Sequence, residues 1–139
     1  MEYTVSKENL LALIGREVSR VAASEYDEAG RSLYDGIALS SRDRETVESF
    51  VDEAAACAAA RLRDIAEYSE GKLTLTVPDL PSGTEDAVAS QLDRYIVSYA
   101  ADRWLQRTCL GRAELYAQER DAALELAART VRTRGKVTR

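Results

Sequence analysis

The sequence contains no histidine, and that one absence removes much of the usual chemistry of small enzymes. Ser-His-Asp and Cys-His nucleophilic mechanisms, HExxH zinc sites and the ExxH half of a carboxylate di-iron centre all need the imidazole ring. Cysteine is nearly as scarce. Cys57 and Cys109 are isolated, and neither belongs to a CxxC pair or a metal-ligand spacing. Cys57 lies in the alanine-rich run Glu53–Ala60, where a small thiol packs like an apolar side chain, and such usage fits a reduced compartment. The seven glycines are scattered singly, so there is neither a GxGxxG nor a P-loop to cradle phosphates. No stretch approaches the roughly 20 apolar residues of a membrane span. The start Met1–Val5 also lacks the basic-then-apolar design of a signal peptide, so the expected location is the cytoplasm where the chain is made, off any membrane. Carboxylates are plentiful, but Glu45, Glu48, Asp52 and Glu53 stand at mixed spacings beside Arg42 and Arg44, as on a solvated helix face. The expectation is a protein with no catalytic residue, no cofactor and no metal.

What is present belongs to a folded, mainly α chain. Its 139 residues suit one domain, and 45% apolar with 31% charged is ordinary for a globular protein. Aromatics are skewed to seven Tyr against one Trp and one Phe, which suits the edge of a core or an interface. Ser6 is placed to cap a first helix, with Val5 and Leu10 at the spacing of a hydrophobic staple, and Leu10, Leu11, Ile14, Val18 and Val21 form its apolar stripe. Gly30 and Gly36 frame a loop or short helical turn over 31–35. Ser40, Ser41 and Asp43 offer caps to a second helix whose stripe runs from Val47 through Phe50, Val51, Ala54, Ala58, Leu62 and Ile65, with Gly71 as its stop. The alanines admit close approach, so this helix is expected at the centre of the bundle.

Lys72-Leu73-Thr74-Leu75-Thr76-Val77 alternates polar and apolar and is closed by Pro78 and Pro81, which predicts a strand. Its backbone needs a partner, either residues 2–5 or the edge of a neighbouring subunit. Ser82-Gly83-Thr84-Glu85 matches a capping box opening a third helix, with Val88, Leu92, Tyr95, Ile96, Tyr99 and Trp104 on one face. A break at Gly111 leads to a fourth helix bearing Ala113, Tyr116, Ala117, Leu124, Ala127 and Val131, antiparallel to the third. The predicted fold is therefore a four-helix-type bundle with a small β element, residues 1–128, followed by a basic tail, 129–139. The tail holds Arg129, Arg132, Arg134, Lys136 and Arg139 and no acid, so the first 128 residues carry −10 and the tail +5. Such asymmetry marks either a docking segment for a negative target or a cationic end that complements a helix dipole.

In order along the chain, Arg44-x-x-Val47-x-x-Phe50-Val51-x-x-Ala54, Leu73-Thr74-Leu75-Thr76-Val77-Pro78, Asp93-Arg94-Tyr95-Ile96-Val97-x-Tyr99-Ala100-x-x-Arg103-Trp104 and Ala113-Glu114-x-Tyr116 resemble the head-to-tail connector (adaptor) proteins of tailed phages and prophages, especially those of Bacteroides-type hosts. The resemblance covers residues 40 to 130. It implies a virion neck protein, many copies in a homo-oligomeric ring (commonly twelve), seated between the portal protein and a downstream tail or stopper protein. DNA would pass through without sequence-specific binding, and no reaction would be catalysed. By position and charge alone, residues 129–139 would reach the portal. Strand residues Leu73 to Val77 and the aromatics Tyr95, Tyr99, Trp104 and Tyr116 would supply subunit or core contacts. Two other readings stand beside it: a helical regulatory module, antitoxin-like, binding one protein partner, and a helical protein gripping nucleic acid through its basic tail. The net charge of −5 weighs against the latter.

Overall fold

The computed structural model describes residues 1–75 and 83–135, with side chains as far as Arg132. Strand β1 (Glu2–Thr4) leads into helix α1 (Lys7–Ala23), a one-turn helix α2 (Tyr34–Ile37), a short 3₁₀ turn over Ser41–Asp43, and helix α3 (Arg44–Arg61). Strands β2 (Ala66–Ser69) and β3 (Lys72–Leu75) form a hairpin, and the long helices α4 (Thr84–Thr108) and α5 (Leu110–Gly135) complete the chain. The architecture is mainly helical, four long helices with a three-stranded antiparallel sheet in the order β1-β3-β2.

Local chemistry explains most of the boundaries. Val5 and Leu10 are both buried on either side of Ser6, as a staple requires, although the Ser6 hydroxyl makes no capping bond. Ser40 and Asp43 cap each other's backbone at the entry to α3. The predicted capping box of α4 falls partly on Ser82, outside the described residues; the helix begins at Thr84, with Gly83 in the left-handed region at its N-cap. The α4–α5 break is at Cys109, with φ −156° and ψ 71°, and not at the expected Gly111, which sits within the first turn of α5.

The second expected helix ends earlier than its spacing indicated. The Leu62 carbonyl is taken by the N–H groups of both Ile65 and Ala66, at 2.8 and 2.7 Å, and the chain turns out of the helix there. The segment after it is β2, a strand absent from the sequence prediction. Gly71 is thus no helix stop: Glu70 and Gly71, with φ 51° and 76°, make the two-residue turn between β2 and β3. Leu73 and Leu75 point into the core, and β3 is the middle strand, bonded to β1 on one side (Tyr3 opposite Leu73) and to β2 on the other (Tyr68 opposite Leu73). The Met1 ammonium and the Leu75 N–H extend the first ladder. The intrachain alternative therefore accounts for this strand: Leu73, Thr74 and Leu75 present no open edge to a neighbouring subunit, and Thr76 and Val77 lie outside the described residues.

The centre of the bundle is α4, in place of the alanine-rich helix expected there. From Tyr95 to Asp102 every α4 side chain is buried, because α1, α2, α3 and α5 all pack on it. Alanines on three helices, Ala54 and Ala58 of α3, Ala100 and Ala101 of α4, Ala123 and Ala127 of α5, let the backbones approach. Larger side chains, Leu92, Ile96 and Leu105, fill the spaces left, each worth about 1.5–3 kcal/mol on burial. The tail boundary also shifts. Helix α5 continues unbroken past residue 128, with Ala128 and Val131 packed in the core, so Arg129 and Arg132 stand on a helix anchored to the domain.

Two glycines separate backbone need from helix cost. Gly71→Ala forces a side chain into a left-handed turn and is expected to lower stability by about 1 kcal/mol or more. Gly15→Ala, in the interior of α1 where an added Cβ meets nothing within 4 Å, should raise it by about 0.5–1 kcal/mol. Urea titrations of the two variants check both signs.

Candidate interaction surfaces

The aromatic residues expected at a core or interface divide by environment. Tyr95, Tyr99 and Tyr116 are buried, whereas Trp104 is half-buried and donates its indole N–H to the Ile37 carbonyl at 2.6 Å, which pins the short α2 to α4. All four therefore serve the interior of this chain. Tyr116 Oη donates to Glu17 at 2.9 Å, and Tyr3 Oη donates to Asp93, so two tyrosine–carboxylate bonds tie β1 and α1 to the α4–α5 pair. Burial, reinforced by the Glu17 carboxylate, pushes Tyr116 up to about 12, and burial does the same to Tyr95, also to about 12. Tyr3 and Tyr99 are raised as well, chiefly by burial and then by hydrogen bonds, to Asp93 for the first and to Glu53 and Cys57 for the second. Burial works against the Glu17 carboxylate, but bonds from Arg20 and Tyr116 and the nearby Arg94 charge outweigh it and hold its pKa below the ordinary value.

One charged side chain sits where no sequence pattern pointed. Asp102 of α4 is 1% exposed. Its Oδ2 accepts bonds from Arg120 of α5 at 2.9 Å and from Gln106 at 3.0 Å. The Arg120 guanidinium also lies over the Tyr99 ring, 5.3 Å from its centroid. The only advance signal was an acid at the turn spacing between Tyr99 and Leu105, which the apolar stripe did not include.

Of the four carboxylates considered for catalysis, three are paired, Glu48 with Arg44, Asp52 with Lys7 and Glu53 with Arg103, and Glu45 is exposed at the start of α3. Two grooves of about 280 and 400 Å³ meet at Ser90 and Arg94 on the α1–α4–α5 side. Arg94 is already held there by Glu17 and Glu119, so it presents no free guanidinium to a ligand. Among the described residues no three His, Cys, Asp or Glu side chains gather as a metal site would require.

The surface itself is uneven. Leu110 (72% exposed) at the α4–α5 turn and Tyr26 (58%), Leu33 and Tyr34 on the 24–37 segment are all exposed. Arg112 there bonds Glu25 and Ser24, and Leu33 and Thr108 line one depression, so the 24–37 segment folds over that turn. Leu115 and Leu126 are exposed three turns apart on the outer face of α5. At the far end, Arg132 pairs with Asp64 at 3.1 Å and Arg129 with Glu125 at 3.2 Å, while Arg61 reaches Asp121 from α3. Arg134, Lys136 and Arg139 have no described side chains. No helix among the described residues is long and apolar enough to cross a membrane. No family model, curated protein or solved structure matches the chain.

Two outcomes are expected from these interiors. Asp102→Ala strands Arg120 between helices and should cost about 3 kcal/mol, low in the range for a broken buried pair because Arg120 keeps some access to water. Asp102→Leu with Arg120→Met should recover most of that loss in thermal denaturation. The tyrosines govern the alkaline limit: their phenols ionise near 10 in the unfolded chain and higher in the fold. The stability they carry is complete below 10 and is lost as pH rises toward 12. A titration of phenolate absorbance followed with circular dichroism should show ionisation of these rings and unfolding together.

Proposed function

We propose that this chain is a non-enzymatic structural protein of a phage neck, one copy among many in a ring between portal and tail through which DNA passes. The observation that carries the reading is the polarity of the surface. An acidic body bears exposed apolar side chains at one end, and its longest helix finishes at the other end in a cationic segment, the distribution of a subunit with separate contacts for separate neighbours. The resemblance to connector proteins supports it. The −10 carried by residues 1–128 would keep the wall of a conduit from gripping the DNA inside it. In this reading Arg129 and Arg132, with Arg134, Lys136 and Arg139 after them in the sequence, face an acidic neighbour, and the anchored helix presents Arg129 and Arg132 at a fixed position.

A second reading, nucleic-acid binding through that same end, draws on exposed Arg63, which has no ion-pair partner among the described residues and belongs to the α3 terminus beside Arg132. It predicts affinity for duplex DNA that falls steeply with salt. The connector reading predicts no such affinity.

Quantitative mass spectrometry of phage-like particles from the source strain provides the direct test. A low copy number in fixed ratio to the portal protein is expected; absence from particles in cells that make the chain overturns the proposal. Truncation is a poor probe of the cationic end, because removing residues 130–139 deletes the buried Val131 and should cost about 1.5–3 kcal/mol. Arg129→Glu with Arg132→Glu leaves the core in place and is expected to keep the melting temperature within a few degrees while weakening incorporation into particles at least tenfold.

A further inference from the structure

Helices α4 and α5 run antiparallel for about 38 Å at 1.5 Å per residue, so the two ends of the α5 helix are also two ends of the molecule. They differ in chemistry. The end at the α4–α5 turn exposes Leu110, Tyr26 and Leu33, with Leu115 just beyond on α5. Around them stand exposed Glu28, Asp35 and Glu114, which have no cation within ion-pair distance among the described residues; Arg107 is the opposing charge there. At the other end, the stretch from Leu126 to Gly135 contains no carboxylate. It presents exposed Leu126, Arg129 and Arg132 outward, the two arginines in solvent-exposed pairs with Glu125 and Asp64 that a neighbour's carboxylates can replace, while Ala127, Ala128 and Val131 hold the helix to the core.

From this complementarity we infer that the C-terminal third of α5 in one copy docks on the α4–α5 turn end of a second copy, Leu126 against the exposed Leu110 and Arg129 and Arg132 toward Glu114, Glu28 and Asp35. The inference takes the presence of repeated copies from the ring reading and names its contact. An apolar centre with a charged rim is the composition of a specific interface. The charges add direction, since either end meeting its own like is disfavoured: paired groups included, residues 24–37 with 107–114 carry five acids and three bases, and residues 61–64 with 121–135 carry three acids and five bases. The contact is heterologous, so it leaves an open donor and an open acceptor after each addition and propagates to a closed ring or a filament. Strand β3 takes no part, because it is bonded on both sides within the chain.

The test uses the full chain in two variants, each altered only at exposed positions. One carries Leu110→Asp and Glu114→Lys, the other Leu126→Asp and Arg129→Glu, with circular dichroism melts confirming that both fold as the parent does. In sedimentation-velocity series at low salt the parent is expected to assemble beyond a dimer as concentration rises, and to lose at least tenfold in association at high salt. Each variant alone should remain monomeric. Mixed in equal amounts, they should form a one-to-one dimer and nothing larger, because one intact end of each kind remains. A parent that stays monomeric throughout, a variant that assembles like the parent, or a mixture that stays monomeric or grows past the dimer overturns the inference. If it fails while the chain is found in particles, the neck reading stands and only the assigned surfaces are wrong.

Discussion

The bond between Asp102 and Arg120 is the constraint around which the helical core is arranged. A carboxylate taken almost wholly out of water is tolerated only when its charge and lone pairs are met, and here Arg120 and Gln106 meet them from one turn of α4 and the facing turn of α5. That requirement is met in this register of the two longest helices. An apolar seam of alanines and leucines by itself would accept a slip of one turn; an isolated carboxylate facing Leu124 or Ala127 would not be tolerated. The Tyr99 ring beneath the Arg120 guanidinium fills the remaining space and carries the constraint across α4 to Cys57 and Glu53 on α3.

The rest of the molecule hangs on that pair through polar bonds at the margin of the core. Tyr116 to Glu17 and Tyr3 to Asp93 hold α1 and β1, Trp104 to the Ile37 carbonyl holds α2, and Lys7 with Tyr68 meets Asp52 beside the sheet. Tyrosine suits these places because its ring packs against the alanines while its hydroxyl reaches a carboxylate at the edge. This explains why a chain with one Phe and one Trp carries seven tyrosines, and it assigns most of them to internal seams. The surfaces left for neighbours are the exposed leucines, Tyr26 and Tyr34, and the charged ends.

Helix α5 connects architecture to function. Its inner face, from Ala113 to Val131, is core, and its outer face is surface, so Arg129 and Arg132, which read as the start of a tail, are held on an anchored helix. A preorganised end loses less conformational entropy on docking than a free tail would. In the neck reading that difference separates a subunit that seats at one angle from one that is merely tethered.

Much of this was legible in the residues. The helical stripes, the strand at Lys72–Leu75, the staple at Val5 and Leu10 and the antiparallel α4–α5 pair all follow from short-range periodicity and turn chemistry, which act within a few residues and leave their pattern in the order of the chain. Four features were decided only in three dimensions. Strand β2 was hidden because Arg61 to Ile65 continues a helical spacing, and only pairing with β3 makes Ala66–Ser69 extended. The choice of β1 as the second partner of β3 depended on where α1 places the N-terminus. Burial of Asp102 was invisible because a carboxylate in a helix reads as solvated until Arg120, 18 residues on, is brought back against it. The reach of the core to Val131 depended on α4 being long enough to receive α5. Sequence alone determined the four helical stripes and how charge is distributed along them; tertiary packing decided where the second helix gives way to strand, which helix is central, which charge is buried and which faces remain for a neighbour, because those depend on contacts between residues far apart in the chain.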